Sequence, residues 1–110
     1  MSHRTRRVSG LHIVCLLGLG TAMVSVQANT ALARQHGCMG CHAVASKGVG
    51  PAYQEVAAKY GADKAAVEKL AISIRAGGTG KWGDMAMPPQ AQLKVTDARR
   101  LATWILNGAK

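Results

Sequence analysis

The chain contains no phenylalanine, and its aromatic side chains are limited to Tyr53, Tyr60, Trp82 and Trp104. That is too little bulk to fill the centre of a domain of this length with side chains alone, so the core needs apolar mass from elsewhere. Acids are equally scarce. Glu55, Asp63, Glu68, Asp84 and Asp97 are the full set, and no two of them stand at a spacing that suits paired acid–base chemistry. Cysteine is confined to Cys15, Cys38 and Cys41, which excludes a disulfide-stapled scaffold. The longest apolar run, Leu11 to Val26, counts 16 residues and is broken by His12, Gly18 and Gly20. It falls short of the roughly 18 to 20 residues that a membrane span needs. No stretch alternates as a strand does, and there is no internal repeat or low-complexity tract.

The first quarter of the chain reads as a leader. Arg4, Arg6 and Arg7 stand without an acid ahead of the apolar run, and Val26-Gln27-Ala28 places small residues at the first and third positions of a cleavage site. A secretory signal peptide is predicted over residues 1–28, cleaved near Ala28, with a single domain over 29–110. An uncleaved N-terminal anchor is the competing reading. Cys15 is a poor lipoprotein cysteine because bulky Val14 precedes it, and it leaves with the leader. Formal net charge is +9 for the whole chain. Removal of the three leader arginines leaves eleven basic against five acidic residues, or +6. The excess is scattered, with no basic stripe interleaved with aromatics, and export argues against a nucleic-acid partner.

What is present is Cys38-Met39-Gly40-Cys41-His42. Two thiols three positions apart, followed at once by an imidazole, form the pattern of c-type haem attachment. Each thiol forms a thioether to a vinyl group, and the histidine lies under the iron. Two other readings compete. A thioredoxin-like dithiol expects a βαβ surround, which is missing here. A zinc site needs further soft or imidazole ligands, and outside the motif only Cys15, His3, His12 and His36 are on offer. His36 itself reads as a solvated helix-end residue. One buried porphyrin, haem c, would supply the missing core mass at about 25 cal/mol per Å² removed from water.

Four helices are predicted. Asn29 and Thr30 cap a first helix that runs to about His36 and breaks at Gly37. Pro51 opens a second over Ala52 to Tyr60, with Tyr53, Val56, Ala57 and Tyr60 on one face, and Gly61 ends it. Asp63 caps a third over Lys64 to Ala76, striped by Val67, Leu70, Ala71 and Ile74. Gly77-Gly78-Thr79-Gly80 begins a long loop that continues to Pro88-Pro89. Thr96-Asp97 start the last helix, whose stripe is Leu101, Ala102, Trp104 and Ile105 and which Gly108 closes.

An iron held by one imidazole has an open face, and a thioether is the soft, neutral partner that closes it and raises its potential. Met87 lies 45 residues after His42, directly before two prolines whose fixed φ stiffens the loop. Met85 is the competitor two residues away.

CMGCH near the start of the domain, Val49-Gly50-Pro51-Ala52-Tyr53, Trp82-Gly83, Met87-Pro88-Pro89 and Leu101-Ala102-Thr103-Trp104, in that order, resemble the short bacterial class I cytochromes c of respiratory and denitrifying chains. The resemblance implies an all-α cytochrome c fold, with four short helices wrapped around one covalently attached haem. It further implies thioethers from Cys38 and Cys41, axial ligation by His42 and Met87, a Pro51 carbonyl accepting the His42 Nδ1 proton, and a Trp82 indole reaching a haem propionate. The first helix, through Leu32, is expected to cross the last near Leu101 and Trp104. Three positions depart from the pattern. Ala33 stands where an aromatic is common, so the helix crossing should be closer or looser. Ala86 replaces a proline before the methionine, which bears on loop rigidity. Ser73 replaces an arginine that faces a propionate, leaving Arg75 or Lys81 to compensate. The function implied is that of a monomeric periplasmic carrier, not an enzyme and without a small-molecule substrate. It would pass single electrons between redox protein partners such as a cytochrome bc complex, a nitrite reductase or a terminal oxidase. The alternative is a haem enzyme or gas sensor in which Met87 is labile.

Overall fold

The structure, a computed structural model, describes residues 22–110, with side chains from Asn29 onward. The leader expected at 1–28 therefore falls outside the described side chains and, over 1–21, outside the described residues. Four helices follow in order: α1 (Ala22–Gln35), α2 (Tyr53–Tyr60), α3 (Ala66–Ala76) and α4 (Val95–Leu106), with a 3-10 turn at Cys38–Gly40. Among the described residues the only β pairing is an isolated antiparallel bridge between Gly78 and Met87. The architecture is all-α.

Helix starts differ from the sequence reading in three places. Asn29 and Thr30 lie inside α1 and do not cap it, because Ala22 to Ala28 contains neither Gly nor Pro to stop the helix extending upstream. Asp63 sits ahead of α3. One of its oxygens accepts from the Ala65 N–H at 2.9 Å and the other from Lys69 Nζ at 2.7 Å, so it forms the turn that leads into the helix. In α4 the cap position is Lys94, and Thr96 and Asp97 fall within the first turn, where Asp97 faces the positive end of the helix dipole. The start of α2 is held by Glu55, whose carboxylate accepts from the Ala52 N–H at 2.9 Å, the return half of a capping box. At the far end of α4, Gly108 N–H donates to Ile105 and Ala109 N–H to Trp104, each at 2.9 Å, which closes the helix as a Schellman motif.

The core is built on α4. Ala98, Leu101, Ala102, Trp104 and Ile105 are all buried, and they meet Leu70, Ala71 and Ile74 of α3, Tyr53 and Val56 of α2, and Ala33 of α1. The first helix does cross the last. Its innermost residue is Ala33, 1% exposed, with Leu32 half-buried beside it, so the small side chain occupies the crossing. Tyr53 packs edge-on against Trp104 with ring centroids 5.3 Å apart, and on its other side stacks with His42 at 5.4 Å. An aromatic ladder thus runs from the deepest part of α4 to the attachment motif.

At the end of α3 the chain turns through Gly77, with φ 65° and its N–H on the Ser73 carbonyl at 2.9 Å. A Cβ there would overlap the Met87 carbonyl and come within 2.7 Å of Pro89 N. Only glycine lets the methionine loop pack against the helix end.

Three substitutions test this packing. Leu101→Ala, at a site 2% exposed, should lower unfolding free energy by about 2–5 kcal/mol, whereas Val95→Ala on the surface should stay within about 0.5 kcal/mol. Denaturant midpoints at constant m-value measure both. Gly77→Ala should cost more than about 2 kcal/mol, combining a left-handed backbone with a backbone overlap.

Candidate haem site

The motif turn is compact. Cys41 and His42 N–H groups both reach the Cys38 carbonyl, at 3.2 and 3.0 Å, so two thiols and an imidazole emerge from one short segment. The chain then hooks back. Gly50 N–H donates to Cys41 O at 2.8 Å, and the N–H groups of Tyr53 and Gln54, at the start of α2, donate to Ala43 and Val44 carbonyls at 2.9 and 3.0 Å. That hook brings the Pro51 carbonyl to 2.8 Å from His42 Nδ1. A carbonyl only accepts, so Nδ1 carries a proton, and in the neutral imidazole this tautomer leaves the lone pair on Nε2. Gly50 is packed against the same ring. A Cβ on it would overlap His42 Cε1 and stand 2.8 Å from Nδ1.

Met87 is fixed by the second segment. Its N–H donates to Gly78 O at 2.8 Å and its carbonyl accepts from Gly78 N–H at 3.0 Å. The loop between is tied across its base by Thr79 Oγ1 to the Asp84 carbonyl at 3.2 Å and by Gly80 N–H to Gly83 O at 2.9 Å. Met87 is half-buried and packs on the core, while its competitor Met85 is 69% exposed. The bridge to Gly78 supplies a restraint that Ala86, in place of a proline, does not. Within the loop, the Trp82 ring is covered by Lys59 Nζ at 4.4 Å from its centroid.

Both segments face one cavity of about 490 Å³, a size suited to a small bound group. Cys38, Cys41, His42, Pro51, Trp82 and Met87 all line it. No aspartate or glutamate does, and its surface is mainly apolar. Two thiols, an imidazole with its outer nitrogen free, a thioether and an acid-free apolar lining fit a covalently held haem. The competing chemistries fit less well. No group of three or more His, Cys, Asp or Glu side chains is placed to hold one metal ion among the described residues, so zinc lacks a donor set there. Burial, with a smaller contribution from neighbouring Cys41, pushes the Cys38 thiol above its ordinary range against an opposing backbone hydrogen bond. A reactive dithiol centre requires the opposite shift. Burial also pushes the Tyr53 phenol upward, with Cys38 adding to the effect, so the ring next to His42 stays neutral.

Several residues take positions that sequence patterns did not reveal. Arg75 donates to the Leu93 and Ala91 carbonyls at 2.9 and 3.3 Å and lines a separate groove beside Ile72 and Val95. It is not part of the cavity, whereas Ser73 and Lys81 are. His36 is half-buried and lines the cavity too, closer to the site than a solvated helix end. Gly78 pairs with Met87 across irregular backbone, where no periodicity marks the contact.

Comparison with known proteins identifies the family. Residues 26–109 match the family model described as Cytochrome c. The chain is similar to cytochrome c-551 of Allochromatium vinosum, at 46% identity over 78% of this chain and 92% of that one. It is also similar to cytochrome c-552 of Hydrogenobacter thermophilus, at 54% identity over 73% and 81%. Among solved structures, wild-type Nitrosomonas europaea cytochrome c552 superposes with a TM-score of 0.70 at 42% identity, covering 72% of this chain and 98% of that one. The chain belongs to the cytochrome c family, as a small class I member with one covalently attached haem c.

Proposed function

We propose that this protein is a single-electron carrier of the periplasm, exported with residues 1–28 as a cleaved leader. In this reading Cys38 and Cys41 would hold the haem by thioethers, and His42 and Met87 would supply the donors to its iron. The observation that carries it is the single acid-free cavity onto which all four side chains converge from two separately braced segments. When bound, the haem iron supplies a one-electron couple. The chain's own residues set the terms of that couple. His42, protonated on Nδ1 by its bond to Pro51, presents Nε2 in a fixed orientation. Met87 offers a neutral thioether that favours the reduced state and a positive potential, and Trp82 offers its indole N–H to a propionate.

No aspartate or glutamate lines the cavity, so no carboxylate pair for acid–base work stands there, in keeping with the carrier reading. The paired hydrogen bonds between Met87 and Gly78 weigh against the sensor reading, which needs a ligand loop that lets go. Among the described residues no helix is long and apolar enough to cross a membrane. Electrons are proposed to pass at the edge near exposed Cys41. Lys47 is exposed nearby in sequence. Its partners would be acidic redox proteins, of which a cytochrome bc complex, a nitrite reductase or a terminal oxidase is the expected kind.

Optical spectra test the ligation. The ferric protein should show the weak far-red band of sulfur on iron. Met87→Ala should abolish it and shift the ferric-to-ferrous ratio at fixed potential at least tenfold toward ferric, about 59 mV for one electron. Reduced wild-type protein should not bind carbon monoxide at neutral pH, whereas Met87→Ala should; binding by the wild type would favour the sensor. Electron-transfer rates with an acidic partner should fall steeply between low salt and about 0.15 M, where the Debye length is about 8 Å. A flat profile would mean apolar docking.

A further inference from the structure

Lys81 is the sole lysine or arginine among the described residues that line the cavity, and no carboxylate lines it with Lys81. Its position is built, not incidental. Lys81 Nζ donates to the Tyr60 hydroxyl at 2.8 Å and lies 4.9 Å from the centroid of that ring. From the other side, Lys59 Nζ donates to the Lys81 carbonyl at 3.0 Å while covering Trp82. Lys59 and Tyr60, at the end of α2, thus clasp Lys81 and Trp82 of the methionine loop, two residues against two.

The charge on this clasp has no counter-ion among the described residues. The ion pairs among the described residues are Lys69–Asp63, Arg99–Glu68 and Arg100–Asp97, all elsewhere. Lys81 Nζ has three donors, one of them spent on Tyr60, and the Tyr60 hydroxyl, having accepted that bond, still has its own proton to give. The wall therefore offers a cation and a neutral donor to whatever anion the cavity holds. Arg75, the other candidate in the sequence, is committed to the backbone at Leu93 and Ala91.

We propose that Lys81, positioned by Tyr60, makes the charge-assisted hydrogen bond to a carboxylate of the bound haem and thereby raises its reduction potential. This rests on the haem reading above. The sign follows from charge. A carboxylate left unpaired beside the iron favours the ferric state, which carries one more positive charge, and a paired ammonium cancels that preference. Lys81 is a positioning and tuning residue. It does not ligate iron.

The test uses the full-length, haem-loaded protein as four variants: Lys81→Gln, Lys81→Arg, Tyr60→Phe, and Lys64→Gln as a charge control at an exposed site that does not line the cavity. A pyridine haemochrome assay on the wild type comes first. Absence of covalent haem there defeats the carrier reading itself, whereas haem with an unresponsive Lys81 defeats this inference alone. Redox equilibria at fixed ambient potential should show Lys81→Gln shifted about threefold toward ferric, roughly 28 mV at about 59 mV per tenfold. Lys81→Arg should recover most of the shift and Tyr60→Phe should show a smaller one of the same sign. The shift should persist in 1 M salt, where the Debye length is about 3 Å and diffuse surface charge is screened. If Lys81→Gln matches Lys64→Gln, or its shift disappears in 1 M salt, Lys81 is only a surface clip between loop and helix.

Discussion

A single hydrogen bond, from His42 Nδ1 to the Pro51 carbonyl at 2.8 Å, decides which imidazole nitrogen faces the cavity. Much of the local structure serves to bring that carbonyl into place. The loop from Cys41 to Gly50 closes on itself through the backbone, and α2 is docked by the N–H groups of Tyr53 and Gln54 on the strand of chain just after the motif. Gly50 must be glycine because the ring and the backbone share one space. The imidazole is then stacked on Tyr53, which leans on Trp104. Orientation of the proposed ligand is thus inherited, through two aromatic rings, from the best-buried helix in the molecule.

The second wall is organised differently. Met87 is not propped by aromatic stacking but by a pair of backbone hydrogen bonds to Gly78, right after the turn that ends α3. Its position therefore depends on where α3 stops, and α3 is packed against α4. Both walls trace back to α4, the one by way of Tyr53 and the other by way of α3. This explains how so short a chain, with so few aromatics, holds two distant segments at one cavity without a disulfide.

The sequence carried the helices, the attachment motif and Met87, because each has a local or strongly spaced signature. Cys38, Cys41 and His42 are contiguous, and Leu70, Ala71 and Ile74 or Leu101, Trp104 and Ile105 recur at helical steps. Helix starts were less legible. Asp63, Thr96 and Asn29 all have the chemistry of caps, yet Asp63 was drawn into a preceding turn that pairs it with Lys69, Thr96 into the helix it was expected to open, and Asn29 into a helix that extends upstream. Least legible were pairings between irregular segments. Nothing periodic links Gly78 to Met87, or Lys59 and Tyr60 to Lys81 and Trp82, and Arg75 and Lys81 are equivalent cations until the fold turns one outward and the other to the cavity.

A carrier that cycles one electron works best when its metal site changes little between oxidation states. The groups that restrain the two proposed ligands are suited to that requirement. The Pro51 carbonyl and the Gly78 peptide do not titrate, carry no net charge and are insensitive to the oxidation state of their surroundings, so they hold geometry without responding to it. The charged groups near the cavity, Lys59 and Lys81, are held instead by aromatic rings, a hydroxyl and a carbonyl. Geometry is thereby assigned to neutral backbone and electrostatics to side chains at the rim. On the proposed reading, substitutions among the rim lysines would adjust potential while the backbone that braces the proposed ligands stays as it is.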